Sequence, residues 1–416
     1  MESLKNTFKI NDLIIIVSIF SLLISEVCAS PIRYILSNIG LSPLIYLPKI
    51  FIFLLVLYKI ITTNFSRSGL IYGILFCVSC MTGLFYGAKV TNFLFSMLMY
   101  APLFIGYFYG KQIDSYKKWF SYLLWFLVIS SLIGIYMDYS FSLPWKGMEY
   151  EIGGQSIEGN REWDAGGIDR LAGFGRSSAT TAVILSCLSL FIIGETKNKV
   201  LATFLFFLTF VGIAFTTTKS VVLAYLLAGL YSAFVYSAFL KRIVHTIIVI
   251  VGLALPTMSI FFEYNISDKI TDPDEVILMA SFDDRLLNTW PSVFNIIKKE
   301  NAFLTGTGFG TVGTSSSLFP IDKIGTRLAV TDSTSLYLYT MFGIVGIYLF
   351  YRQIHLLNSF SKKEKDNETK KINETLQTVL VCIIIIGLGI DICESVTAIF
   401  FIGYALYKSK MLLNNK

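Results

Sequence analysis

The chain predicts an all-α polytopic membrane protein of about twelve transmembrane helices, with two long loops on its outer face. Three observations carry this reading. Of 416 residues, 54% are hydrophobic and only 15% are charged, against about a quarter charged in soluble domains. Mean hydropathy is +0.66. Lys and Arg crowd into alternate short loops, which sets the orientation of the spans.

Apolar runs of roughly 17–25 residues mark spans. In order they are Leu13–Cys28, Pro43–Ile61, Gly69–Tyr86, Thr91–Gly110 and Trp119–Met137, then Ala179–Gly194, Val200–Phe215, Ser220–Leu240 and Ile243–Phe262, and finally Ser333–Phe350, Thr375–Gly389 and Val396–Tyr407. The chain divides accordingly. Residues 1–137 hold five helices, 138–177 form the first outer loop, 178–262 hold four helices, 263–332 form the second outer loop and 333–416 hold three helices. Lys5 and Lys9 lead into the first span without a small-residue cleavage site, so it reads as a membrane helix and not a removed signal. With the N-terminus cytoplasmic, twenty Lys and Arg fall in inner segments and four (Arg33, Lys49, Lys89, Lys219) in short outer loops. Both long loops then face away from the cytoplasm and its nucleotide sugars. The net charge of +6 is thereby a topology signal and no argument for nucleic acid.

Cofactor and metal chemistry find little support. The six cysteines lie in or beside apolar runs, Cys77-x-x-Cys80 included, and His245 and His355 flank or enter spans. Asp272-Pro-Asp274 has the spacing of a metal-binding pair, yet beside Thr271 and Pro273 it reads first as a turn. No cofactor and no metal are expected.

The outer loops carry the candidate chemistry. The first closes with Arg170-Leu-Ala-Gly173-Phe-Gly175-Arg176 ahead of a helix. Arginine forks match phosphate oxygens, and glycines beside a helix N-terminus let a backbone approach an anion. Ion pairing of these arginines to Glu162, Asp164 or Asp169 is the alternative, and the residues alone leave both open. In the second loop, Ser281 and Asp284 resemble a capping box before an amphipathic helix kinked at Pro291. That helix would lie along the outer interface, with Trp290 as an anchor and Arg285 near headgroup level. Gly306, Gly308 and Gly310 form a turn that is no dinucleotide fingerprint. Glu26, Asp391 and Glu394, near outer helix ends, read as local hydrogen-bond or ion-pair partners.

Taken together, three segments resemble the O-antigen polymerase and ligase superfamily. They are Arg170-Leu-Ala-Gly173-Phe with its following helix; Arg285, Trp290, Gly306 and Gly308; and Asp332-Ser-Thr-Ser-Leu-Tyr337 with Phe342-Gly343-Ile-Val-Gly346. Thr217-Thr218-Lys219-Ser220 is similar to the family's outer Ser-Arg turn. The resemblance covers about half of the chain. It implies a GT-C-like fold in a bacterial inner membrane, with an active site facing the periplasm. The reaction it implies is inverting, metal-independent transfer of a growing glycan from undecaprenyl diphosphate to a lipid-linked repeat unit. Ligases are expected to carry histidine where Asp332 stands, so a polymerase fits better than a ligase. Under this reading Arg170, Arg285 and Asp332 are catalytic, and Arg176, Lys219, Arg327, Gly173, Gly306, Gly308 and Trp290 bind the diphosphate or glycan. Arg327 has the alternative of pairing with Asp332. Undecaprenyl-diphosphate-linked oligosaccharide, membrane lipids and a chain-length regulator are the implied partners, and nucleic acid is not. A lipid-linked oligosaccharide flippase is the other class to weigh, although nearly charge-free spans disfavour it.

Overall fold

The computed structural model describes residues 10–64, 66–152, 155–161, 164–165, 168–261, 281–361 and 366–414. Helix dominates them. The first half runs α1 (Ile10–Val27), α2 (Ala29–Asn38), α3 (Leu47–Thr62), α4 (Arg67–Phe85), α5 (Val90–Phe108), α6 (Gly110–Ser115) and α7 (Lys117–Ser140). Two small antiparallel hairpins follow, Glu149–Ile152 with Gln155–Glu158 and Asp164–Ala165 with Ile168–Asp169, so the first outer loop is not wholly irregular as an all-α reading expects. Then come α8 (Ser178–Glu195), α9 (Lys199–Phe215), α10 (Lys219–Phe234) and α11 (Ala238–Phe261). After a π-turn at Arg285–Thr289, the chain continues through α12 (Trp290–Lys299), α13 (Thr314–Leu318), α14 (Thr334–Phe342), α15 (Ile344–Tyr351), α16 (Gln353–Ser359), α17 (Asn367–Ile386) and α18 (Val396–Asn414). Asp272-Pro-Asp274 lies outside the described residues.

Six of these segments are long and apolar enough to cross a membrane, and a seventh is added if the pair α1 and α2, bent by 89°, counts as one span. The segments 69–85, 199–215 and 219–234 are shorter apolar helices. Burial sorts them by place. Every residue of Thr181–Ile192 and Thr375–Ile386 is buried, as befits helices apolar on all sides at the centre of a bundle. Phe204, Phe207 and Val211 on α9, and Leu70, Ile71 and Ile74 on α4, are exposed in rows that lipid would cover. The chain is a multi-pass membrane protein. Charged contacts gather at two opposite ends. Lys117–Glu195 (2.5 Å) and Lys408–Asp114 (2.7 Å) lie at one, Lys49–Glu26 (2.8 Å) and Arg285–Asp332 (3.4 Å) at the other.

The expected single span Ser333–Phe350 is two helices, broken at Gly343, whose φ of +59° favours glycine. In a continuous helix Ile344 N–H would bond Thr340 O. Here it donates to Leu304 O (3.1 Å), while Thr307 N–H donates to Thr340 O (2.7 Å) and Gly308 N–H to Met341 O (3.1 Å). A passing loop therefore satisfies the groups that the break exposes, the condition for tolerating irregular backbone inside a membrane protein.

Between α5 and α18 the backbones nearly touch. A Cβ on Gly106 would lie 2.5 Å from Phe400 O, and one on Gly403 would collide with Leu103 O. Gly403→Ala is therefore expected to destabilise by about 1–3 kcal/mol, read as a lowered thermal midpoint in detergent. Gly73→Ala, with nothing within 4 Å of its new methyl, should leave the midpoint unchanged or raise it.

Candidate active site

Several residues singled out in the two loops lie near the connection Gly387–Ser395 between α17 and α18, where the sequence marks Asp391 and Glu394 only as local partners. Thr334 ties it down: its N–H donates to Gly387 O (2.9 Å), its Oγ1 donates to Ile390 O (3.2 Å) and accepts from Ile392 N–H (3.2 Å). Asp391 Oδ1 accepts from Cys393 N–H (2.9 Å). Glu394 accepts from Thr314 N–H (2.8 Å), from the Thr314 hydroxyl and from Tyr337 OH (3.3 Å). Glu394 is thus the local hydrogen-bond partner that its position suggests, and so is Glu26, which pairs with Lys49. Burial pushes the Asp391 carboxyl well above the ordinary range, and Glu394 pushes it further. Glu394 is also raised by burial, against the pull of Thr314, Tyr337 and Arg176. Two carboxyls in one poorly solvated basin disfavour each other's charge.

Arg285 and Asp332 meet on one side of this basin. Arg285 Nε stands 3.4 Å from Asp332 Oδ2, an ion pair without the alignment of a hydrogen bond. Arg285 Nη1 donates to Ser281 O (3.3 Å) and Oγ (3.1 Å). Asp332 holds φ at +48°, a left-handed backbone uncommon for a residue with a side chain. Its carboxyl is raised by burial, lowered by Arg285 and raised by Asp284. Because Asp332 also raises Asp391, the acids of the two loops feel one another.

Arg176 is near enough to draw Glu394 down, and its buried Nε has no hydrogen-bond partner among the described residues. Such an orphaned donor can take an oxygen that arrives with a ligand. Arg170 stands close to Lys219, whose ammonium is lowered first by burial and then by Arg170. Lys219 opens α10, and its neighbour Ser220 faces Gly389 of the central connection, with Cβ 3.8 Å from where a Gly389 Cβ would stand.

The glycines serve packing. Ala172 and Gly173 N–H both donate to Asp138 Oδ2 (2.9 Å each), and a Cβ on Gly173 would lie 2.8 Å from the Gly134 backbone. Gly306 N–H donates to Ala302 O (2.9 Å) and Gly308 N–H to Met341 O, so these donors are engaged by the protein itself. Trp290 is wholly buried against Phe282 and the loop core, so it is a core residue and not an exposed interfacial anchor. The wide turn at Arg285–Thr289 precedes Pro291, which lacks the N–H that Leu287 O would need. Arg327 does not pair with Asp332; it lines a groove with Lys299 and Asn295. Asp138, Asp391 and Glu394 are what sequence reasoning missed as site builders. The dense Gly387-Leu-Gly-Ile-Asp-Ile-Cys-Glu394 run between two apolar stretches was the available signal.

Comparison with protein-family models, with curated proteins and with solved structures found no match in any of the three.

Because the folded chain holds the Asp391 proton more tightly than an unfolded chain would, this group's stabilisation is complete below the ordinary carboxylate pKa of about 3.9. It is lost as pH rises through the raised folded value. Asp391→Asn keeps the oxygen that accepts from Cys393 and removes the charge. Its thermal midpoint is expected to exceed wild type near neutral pH and to depend less on pH; a lower midpoint at pH 7 would mean that the carboxylate is the form the fold requires.

Proposed function

We propose that this chain is a surface-polysaccharide polymerase of the O-antigen type. In this reading it transfers a growing glycan from undecaprenyl diphosphate to a lipid-linked repeat unit at the periplasmic face of a bacterial inner membrane. The observation that carries the proposal is the Arg285–Asp332 ion pair, whose carboxylate acts on Asp391 in the same connection as Glu394, the acid that a second cation, Arg176, draws down. A polymerase needs such a combination: cations for a departing diphosphate and a carboxylate for an incoming hydroxyl. Twelve spans, a cytoplasmic N-terminus and a GT-C-like arrangement belong to the same proposal, supported by the distribution of Lys and Arg and by the two-ended placement of charge.

The chemistry follows directly. The acceptor hydroxyl oxygen attacks the anomeric carbon of the donor sugar as the bond to the lipid diphosphate breaks. The diphosphate leaves with the electron pair, and its charge is taken up by Arg285 and Arg176, with Arg170 and Lys219 as the further cationic pair. The hydroxyl proton passes to Asp332. Attack opposite the leaving group inverts the anomeric centre. Burial raises Asp332 toward the working range of a general base, and Arg285 limits the rise. Arg285 therefore has two tasks, one toward the leaving group and one toward the base.

A flippase reading draws on the broken helix at Gly343, since discontinuous helices build many transporter sites. Loss of function separates the two: a polymerase defect leaves single repeat units on the cell surface, and a flippase defect leaves none. Arg285→Ala is expected to abolish long polysaccharide in a surface-glycan gel while the protein remains inserted. Arg285→Lys should restore only part, because the planar fork is lost. Asp332→Asn should give single units with little long material, whereas long chains stranded on the lipid carrier would mark a ligase. With a base that must be deprotonated, turnover falls as pH drops through the raised Asp332 value. Removing the raising influence of Asp284 in Asp284→Asn should shift that acid limb to lower pH, and an unmoved limb would detach Asp332 from the proton transfer.

A further inference from the structure

Alongside the basin runs an open groove of about 560 Å³, lined by Leu287, Asn288, Pro291, Ser292, Asn295, Ile296, Lys299 and Arg327. Its composition is selective. Ser292, Asn295 and Lys299 recur at spacings of three and four, so they share one face of α12, and Asn288 precedes them in the π-turn. From Ser292 to Lys299 that face extends about 10 Å. Leu287, Pro291 and Ile296 supply an apolar floor, the amides and hydroxyl supply hydrogen bonds, and Lys299 and Arg327 supply positive charge. No carboxylate is among the lining residues, whereas a merely solvated helix face mixes both signs.

Both walls of the groove are fixed. On one side, α12 is anchored by Trp290, Val293 and Ile297 in the loop core. On the other, the turn bearing Arg327 is closed by paired Ile321 and Gly325 and held where Gly313 N–H donates to the carbonyl of buried Leu328 (2.9 Å). The near end joins the active basin, since Asn288 Nδ2 donates to Asp284 Oδ1 (2.8 Å) and Asp284 adjoins Arg285 and acts on Asp332.

We propose that this groove is a subsite for an anionic glycan, holding sugars that lead away from Arg285 and Asp332 and pairing their carboxylate or phosphate substituents with Lys299 and Arg327. The assignment rests on the polymerase reading for its direction, and it adds the substrate class: a repeat unit that bears acidic sugars. Flat apolar patches meet the C–H faces of pyranose rings, and amides meet ring hydroxyls.

The test uses the full chain in lipid nanodiscs and measures binding of three soluble probes of similar length: tetragalacturonate, neutral maltotetraose and tetraglutamate. Tetragalacturonate is expected to bind at least about tenfold more tightly than either of the others. Lys299→Gln combined with Arg327→Gln should erase that preference while the thermal midpoint stays at the wild-type value. Equal binding of maltotetraose would overturn the acidic class, and equal binding of tetraglutamate would overturn the saccharide. An unchanged preference in the double variant would overturn the site. Because no probe carries a lipid diphosphate, binding is independent of turnover. A selective groove in a chain without polymerase activity would sink the polymerase reading alone; an active chain with no selectivity would sink the groove alone.

Discussion

A helix interrupted at Gly343 and closed by a passing loop is the constraint on which the half of this protein that carries Arg285 and Asp332 depends. Breaking a helix in a low-dielectric environment exposes carbonyl and amide groups, each costing several kcal/mol if left unpaired. Leu304, Thr307 and Gly308 meet that demand by exchanging hydrogen bonds with Ile344, Thr340 and Met341. The exchange requires two backbones at contact distance, and this accounts for glycine at 306 and 343: a Cβ on Gly306 would lie 2.6 Å from Gly343 N. Once the loop is locked there, α12 before it and the Thr314 turn after it have fixed positions, and with them Arg285 and the donors that hold Glu394.

The same device concentrates unfavourable electrostatics. Asp332, Asp391 and Glu394 are brought near one another in a poorly hydrated space, and each is shifted toward its protonated form. Arg285, Arg176 and the surrounding donors offset part of that cost. A folded protein gains no stability from such an arrangement, because removing charges from water is repaid only with full pairing. An incoming anion that completes the pairing of the cations does gain from it, which is the logic of a site organised before its substrate arrives.

Much of this was legible in the residues. Apolar runs marked helical segments, six of them long and apolar enough to cross a membrane, although the run at 333–350 is broken at Gly343. Arg285 and Asp332, 47 positions apart by number, were both singled out and do meet. The rest was hidden because a residue type does not disclose its partner. Gly306 and Gly308 were read as ligand-binding, yet their N–H groups are engaged by the carbonyls of Ala302 and Met341, the latter at a helix break visible only in three dimensions. Trp290 looked interfacial because amphipathic spacing cannot tell a bilayer surface from a protein core. Asp391 and Glu394 sat at a helix end where a local role suffices to explain them, and only the convergence of Thr314, Thr334 and Arg176 gives them a wider one.

Polymer synthesis driven by a lipid diphosphate is the central claim, and it requires no nucleotide, no metal and no other protein for the bond-forming step. The most direct measurement is turnover by the purified chain in nanodiscs, supplied only with a synthetic undecaprenyl-diphosphate-linked repeat unit of acidic composition. The account predicts a ladder of lipid-linked products, with one undecaprenyl diphosphate released for each glycosidic bond formed. Release of lipid diphosphate without lengthened glycan, or lengthening only when a nucleotide sugar is added, would contradict it.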